Sequence, residues 1–171
     1  PVDVGDAQAQ AKLLVAQSAE YNLGNPRTIN MPNLPLELLQ RRHRDRFAIA
    51  LDGAGELRGH QLVKVLFAEK ATPSIVYFGG QQDLLSVVRA WVDPASGELH
   101  RVNTTFTGRR RLPVSPRLDV DFERDRDQRI LVPTLMREEF LDGSSGLGTG
   151  RATYSNFRRF QTSARIVPPP S

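Results

Sequence analysis

The spacing of apolar residues changes along this chain near position 46. Over residues 6–23, DAQAQAKLLVAQSAEYNL, the positions Ala7, Ala11, Leu14, Ser18 and Tyr21 follow the i, i+3/i+4 rhythm of one helix face. Asp6 is placed to cap its start, Gly24 can take the left-handed position after its last turn, and Pro26 blocks continuation. The apolar face is rich in alanine and shallow, so this helix can lie close against a sheet. NPRTINMPNLP then reads as an extended connector anchored by Ile29 and Met31. PLELLQRRH reads as a short helix with Pro35 in its first turn and Leu36, Leu38 and Leu39 on its apolar side.

From Arg46 the period is two. Phe47, Ile49 and Leu51 alternate with small residues in RFAIAL, and DGAGELRG then reads as a turn-rich loop. HQLVKVLFAE puts Val63, Val65 and Phe67 on one face and Leu62, Lys64 and Leu66 on the other, and SIVYF is a short strand. GGQQDLLS breaks the alternation and is read as a helical turn. VVRAWVDPASGELHRVNTTF predicts a hairpin: Asp93-Pro94-Ala95-Ser96-Gly97 is a turn sequence in which Pro fixes φ and Gly accepts positive φ. Val102 and Phe106 share a face of the return strand.

In RLDVDFERD, Leu118, Val120 and Phe122 point one way, while Asp119, Asp121 and Glu123 point the other, as in an antiparallel sheet wet on one side. ILVPTLMREEF is a strand whose Pro133 marks an edge or a bulge. LDGSSGLGTG reads as a flexible loop, RATYSNFRRFQTSARI as the last strand, and VPPPS as a tail. With no helix between consecutive strands, a parallel βαβ sheet is disfavoured. The expected fold is α+β: a curved antiparallel sheet, or half-barrel, of about eight strands with an N-terminal helix packed on or in its concave face.

A chain of 171 residues suits a single domain, here divided into a helical and extended part over 1–45, a sheet over 46–165 and a tail over 166–171. The chain starts at Pro1, which fits a processed chain or a fragment. No run approaches the ~20 apolar residues of a membrane helix. The absence of cysteine excludes disulfides, thiolate zinc sites and cysteine nucleophiles. A net charge of +4, with acids and bases interleaved, favours a role in solubility over one in nucleic-acid binding.

The phrases AWVDPASGELHRV, RLDVDF and ILVPTLMREEF, together with the strand order, resemble the periplasmic lipoprotein-carrier superfamily, the outer-membrane lipoprotein-sorting proteins. The resemblance covers about half the chain, and it implies a curved half-barrel closed by helices over an apolar cavity. It also implies the ability to hold something apolar, and not a lipoprotein-trafficking role; the expected partner is a lipid or lipoprotein and the expected location periplasmic or secreted. SAEYNLGNPRTINMPNLPLELL and ATYSNFRRF resemble segments of uncharacterised secreted bacterial proteins.

No catalytic constellation is visible, and the expectation is a non-enzymatic module with no cofactor. DVDFERDRD lacks the Gly and Glu of a calcium loop, and it reads as a solvated face with arginine neighbours. His43, His60 and His100 are far apart with no metal-ligand spacing, so no metal is expected. GLGTG precedes a strand and lacks the phosphate-loop pattern. The candidate lining for a hydrophobic ligand is Phe47, Val63, Val65, Phe67, Trp91, Val102, Phe106, Leu118, Val120 and Phe122, with Trp91 turned inward by a bulge near Arg89 as a cap on the half-barrel. Two alternatives stand beside this: a structural module that binds other protein subunits, and an anion or nucleic-acid surface built from Arg41, Arg42, Arg44, Arg109, Arg110 and Arg111.

Overall fold

The computed structural model describes residues 31–78, 82–108, 116–125, 129–141 and 146–157. The helix expected over 6–23, most of the connector after it, Arg109 to Arg111 and the tail lie outside these residues.

A short helix α1 (Leu34–Leu38) carries Pro35 in its first turn and is followed by a 3-10 segment, Arg41–Arg46. Eight strands follow: β1 (Phe47–Leu57), β2 (His60–Glu69), β3 (Val76–Phe78), β4 (Gln82–Val92), β5 (Leu99–Gly108), β6 (Arg117–Arg124), β7 (Leu131–Leu141) and β8 (Leu147–Thr153). They form one antiparallel sheet in the order β1-β2-β4-β5-β6-β7-β8, with β3 paired to β4. Among the described residues β1 and β8 do not pair, so the sheet stays open. No described helix is long and apolar enough to cross a membrane.

The pairing sorts the side chains into two faces. Phe67 lies opposite Val88, Ala90 opposite Val102, Val102 opposite Val120 and Val120 opposite Met136. Val88, Val102, Val120 and Met136, with Leu84, Phe106, Leu118 and Phe122, form one cluster, against which Phe67 packs and which Leu34 and Leu38 of α1 join from above. The other face carries most of the charged and amide side chains, with Leu62, Leu66 and Trp91 among them.

Three strands differ from the pattern-based reading. β1 continues through DGAGEL, because the extra residue at Asp52-Gly53 is absorbed as a bulge, with three steps on β1 against two on β2. Gly53 takes φ +87 there, which is why the segment resembles a turn. β4 begins at Gln82 and takes in Gln82 to Ser86 of the stretch read as a helical turn, the rest of which lies outside the described residues. β8 begins at Leu147, inside the presumed loop, and ends at Thr153. Its glycines are needed for space: a Cβ on Gly148 would stand 2.5 Å from the Phe140 ring across the pair. Pro133 marks a bulge and not an edge, since β7 lies between β6 and β8 and shifts register where Pro133 faces Phe122.

The acidic strand also departs from expectation. Asp121 is not solvated; it is fully buried. Arg101 from β5 grips it with Nε and with Nη2 at 3.0 Å, Arg58 from the β1–β2 turn donates to it at 2.9 Å, and Arg137 from β7 lies 3.6 Å away. Burial works against its charge, but the bonds from Arg101 and the fields of Arg101, Arg58 and Arg137 win, so its carboxyl is held below the ordinary aspartate range.

Replacing Asp121 by Asn removes the charge these arginines share, and the expected loss is about 3 kcal/mol of unfolding free energy. Because the native carboxyl titrates below its unfolded value, its contribution is complete above about pH 4 and fades as the pH falls through the lower native value. Urea unfolding at neutral and acid pH should therefore show the gap between wild type and Asp121→Asn narrowing on acidification. A constant gap would mean that the Asp121 charge contributes nothing to the difference.

Candidate functional site

Nine of the ten residues expected to line a hydrophobic site lie on the apolar face. Phe47, Val102, Phe106, Leu118, Val120 and Phe122 are buried there. Val63, Val65 and Phe67 are only half-buried. Phe67 meets Phe47 edge-to-face, with centroids 6.3 Å apart. The centre of the face, over β4–β6, is thus filled by its own side chains and by Leu34 and Leu38.

Among the described residues the face is open toward β1. Ile49 pairs with Phe67 and Leu51 with Val65, which places both on the apolar side, yet Ile49 is 45% and Leu51 73% exposed. The same alternation that singled out Phe47 runs through Ile49 and Leu51, so the signal for them was present in the sequence. Together with Val63, Val65 and Phe67 they make an apolar lip along the first two strands.

Trp91 is the exception. It pairs with Lys64 and with Arg101 and sits on the polar face. The nearby bulge lies on β5, after Trp91 on the paired strand, so strict alternation of β4 is kept and the ring is not turned inward. Its indole N–H donates to Asn103 Oδ1 at 2.7 Å, and Asn103 in turn donates to Asp119 at 2.9 Å. The Lys64 ammonium stands 5.2 Å from the ring centroid. Gly55 of β1 lies beneath the ring.

The basic residues do not form one patch among the described residues. Arg41, Arg42 and Arg44 are exposed on the 3-10 segment, where Arg42 pairs with Glu37 of α1. Arg46, next to them, is turned toward Glu69. The Glu69 side chain is buried and accepts N–H bonds from Ile75 at 2.9 Å and Ser86 at 3.0 Å, which ties β2 to β4 and to the residues leading into β3.

At the end of the sheet that carries the β4–β5 turn, His60 and His100 come together with ring centroids 4.7 Å apart. Asp93 joins them. Its Oδ1 accepts the N–H groups of Ala95 at 2.7 Å and Ser96 at 3.0 Å, and these bonds hold its carboxyl below the usual range. Sequence spacing could not show this grouping, since it depends on the register of β2, β4 and β5.

Comparison with family models, with curated proteins and with solved structures gives no match to this chain.

A Cβ added to Gly55 would lie 2.9 Å from Cζ3 and 3.3 Å from Cη2 of Trp91. Gly55→Ala must therefore displace the indole, at an expected cost of about 1–3 kcal/mol. As this is the chain's only tryptophan, a shift of its fluorescence emission should accompany the lower denaturant midpoint. Unchanged emission and midpoint would disprove the contact.

Proposed function

We propose that this chain is a non-catalytic module that holds a hydrophobic ligand, the acyl chain of a lipid or lipoprotein, against the β1–β2 lip of its apolar face, outside the cytoplasm. The observation that carries the reading is the exposure of Ile49 and Leu51 on a face that is sealed over β4–β6. Contiguous apolar surface of this kind marks binding sites, and covering it contributes roughly 25 cal/mol per Å². The resemblance to lipoprotein carriers supports an acyl ligand and a periplasmic or secreted location.

A second reading is favoured by the place of the lip in the sheet. β1 is an 11-residue strand at the sheet edge, and such an edge can add a strand from another protein. In that case the module is a subunit of an assembly.

Native mass spectrometry and solvent extraction of the full chain, with a fluorescent fatty-acid probe, separate the two. Ligand binding predicts co-purified lipid or saturable probe binding, both lost in Leu51→Asp. That variant places a charge at an exposed position and should keep its stability within about 0.5 kcal/mol. Absence of lipid and of probe binding would overturn the ligand reading. Concentration-dependent association in light scattering, abolished by the same variant, would then establish the assembly reading.

A further inference from the structure

The His60, Asp93 and His100 group is held by three separate local devices, none of which depends on the apolar face. His60 follows a two-residue turn, Arg58-Gly59, in which both residues have positive φ, +52 and +80. The turn is fastened to β6 by Arg58, which donates to Asp121 at 2.9 Å and to Glu123 at 2.7 Å. Asp93 directly follows β4 and spends Oδ1 on the turn amides, which leaves Oδ2 for another partner. His100 is the extra residue of the β5 bulge: Trp91 faces Arg101 and Val92 faces Leu99, so His100 has no opposite number. Bulges re-aim a side chain out of the regular alternation, and they occur next to functional sites.

The three devices converge. One donor atom from each side chain lies within 4.8 Å of the others. A tetrahedral ion with bonds of 2.0–2.1 Å needs its donors about 3.3 Å apart. His60 is exposed and so has room to turn its imidazole toward the other two, which would reduce that difference. The group opens on a groove of about 440 Å³ that is also lined by Glu98, Glu123, Arg58 and Arg124. Three carboxylates, from Asp93, Glu98 and Glu123, face two guanidiniums there, so the groove is net acidic in a chain that is net basic. Arg58 pairs with Glu123, and Arg124 lies 3.7 Å from Glu98, so both guanidiniums are directed at carboxylates.

We propose that His60, Asp93 and His100 form a binding site for a first-row divalent transition-metal ion, with zinc as its reference ligand. Two imidazoles and one carboxylate, with no sulfur, suit zinc, nickel or copper and not calcium or magnesium. Three protein ligands leave a fourth position for water or for an oxygen of a bound molecule. The ion would fasten the β1–β2 turn to the β4–β5 turn across the end of the sheet.

The test is zinc titration by calorimetry of the full chain, free of any affinity tag and stripped of metal, with the single variants His60→Ala, His100→Ala and Asp93→Asn. His43→Ala serves as the control, since the third histidine lies on the 3-10 segment. The expected result is one zinc per chain, affinity lowered at least about tenfold in His60→Ala and in His100→Ala, and no change in His43→Ala. Zinc should also raise the melting temperature of the wild type and lose that effect in the two site variants. Since Asp93 also shapes its turn, its variant is read only where circular dichroism matches the wild type; the exposed His60 carries the decision. No saturable binding up to about 100 µM zinc, one zinc per two chains, or wild-type affinity in His60→Ala would overturn the proposal.

Discussion

The buried carboxylate of Asp121 organises one whole face of this protein. A full negative charge removed from water is tolerated only if it is compensated closely and from several sides. Here the compensation comes from Arg101 next to it on β5, Arg137 on β7, and Arg58 at the tip of a hairpin three strands away in the sheet order. The last of these has the furthest reach. By drawing the β1–β2 tip toward β6, the ion pair fixes where β2 starts, and with it the position of His60 beside the β4–β5 turn. On the opposite face, Glu69 does comparable work with one guanidinium, that of Arg46, and two backbone amides: its carboxylate takes the place of the next rung in the β2–β4 ladder by accepting the Ser86 amide. The two faces are thus held by different means, one by dispersion and burial around Val88, Val102 and Phe106, the other by a lattice of charges.

Much of the architecture was legible because side-chain alternation leaves a direct trace. Leu118, Val120 and Phe122 could be assigned to one face from six residues of sequence, and the Asp93 to Gly97 turn is written in residues whose backbone limits are known: Gly97 takes φ +74, and Asp93 caps the turn amides. Two of the departures turn on glycine: Gly53, Gly148 and Gly150 look like signs of loops, whereas one sits in a bulge and the others make room for Phe140 and Glu138 on the neighbouring strand. Glycine reports that space or backbone freedom is needed and does not say which. Trp91 illustrates a finer limit. Alternation along β4 gave its true side, and the error lay in placing a bulge near Arg89 when the paired strand carries one at His100.

The candidate sites differ in legibility for the same reason. The apolar lip belongs to two strands adjacent in sequence, so its members could be found from periodicity, although the exposure of Ile49 and Leu51 could not. The histidine pair required the register of three strands and the location of one extra residue in the chain. Neither quantity is a property of the residues involved.

The strand order has a kinetic corollary. Along the sheet from β1 to β8 the strands follow chain order, except that β2 lies beside β4 and β3 pairs with β4 alone. No described strand has to find a partner from the far end of the sequence, as the closing pair of a barrel must. The entropy of long-loop closure, which slows most β proteins, is therefore largely avoided. The described sheet can grow outward from any one hairpin, adding a strand at a time on either side, and its open edges are the geometric record of that economy.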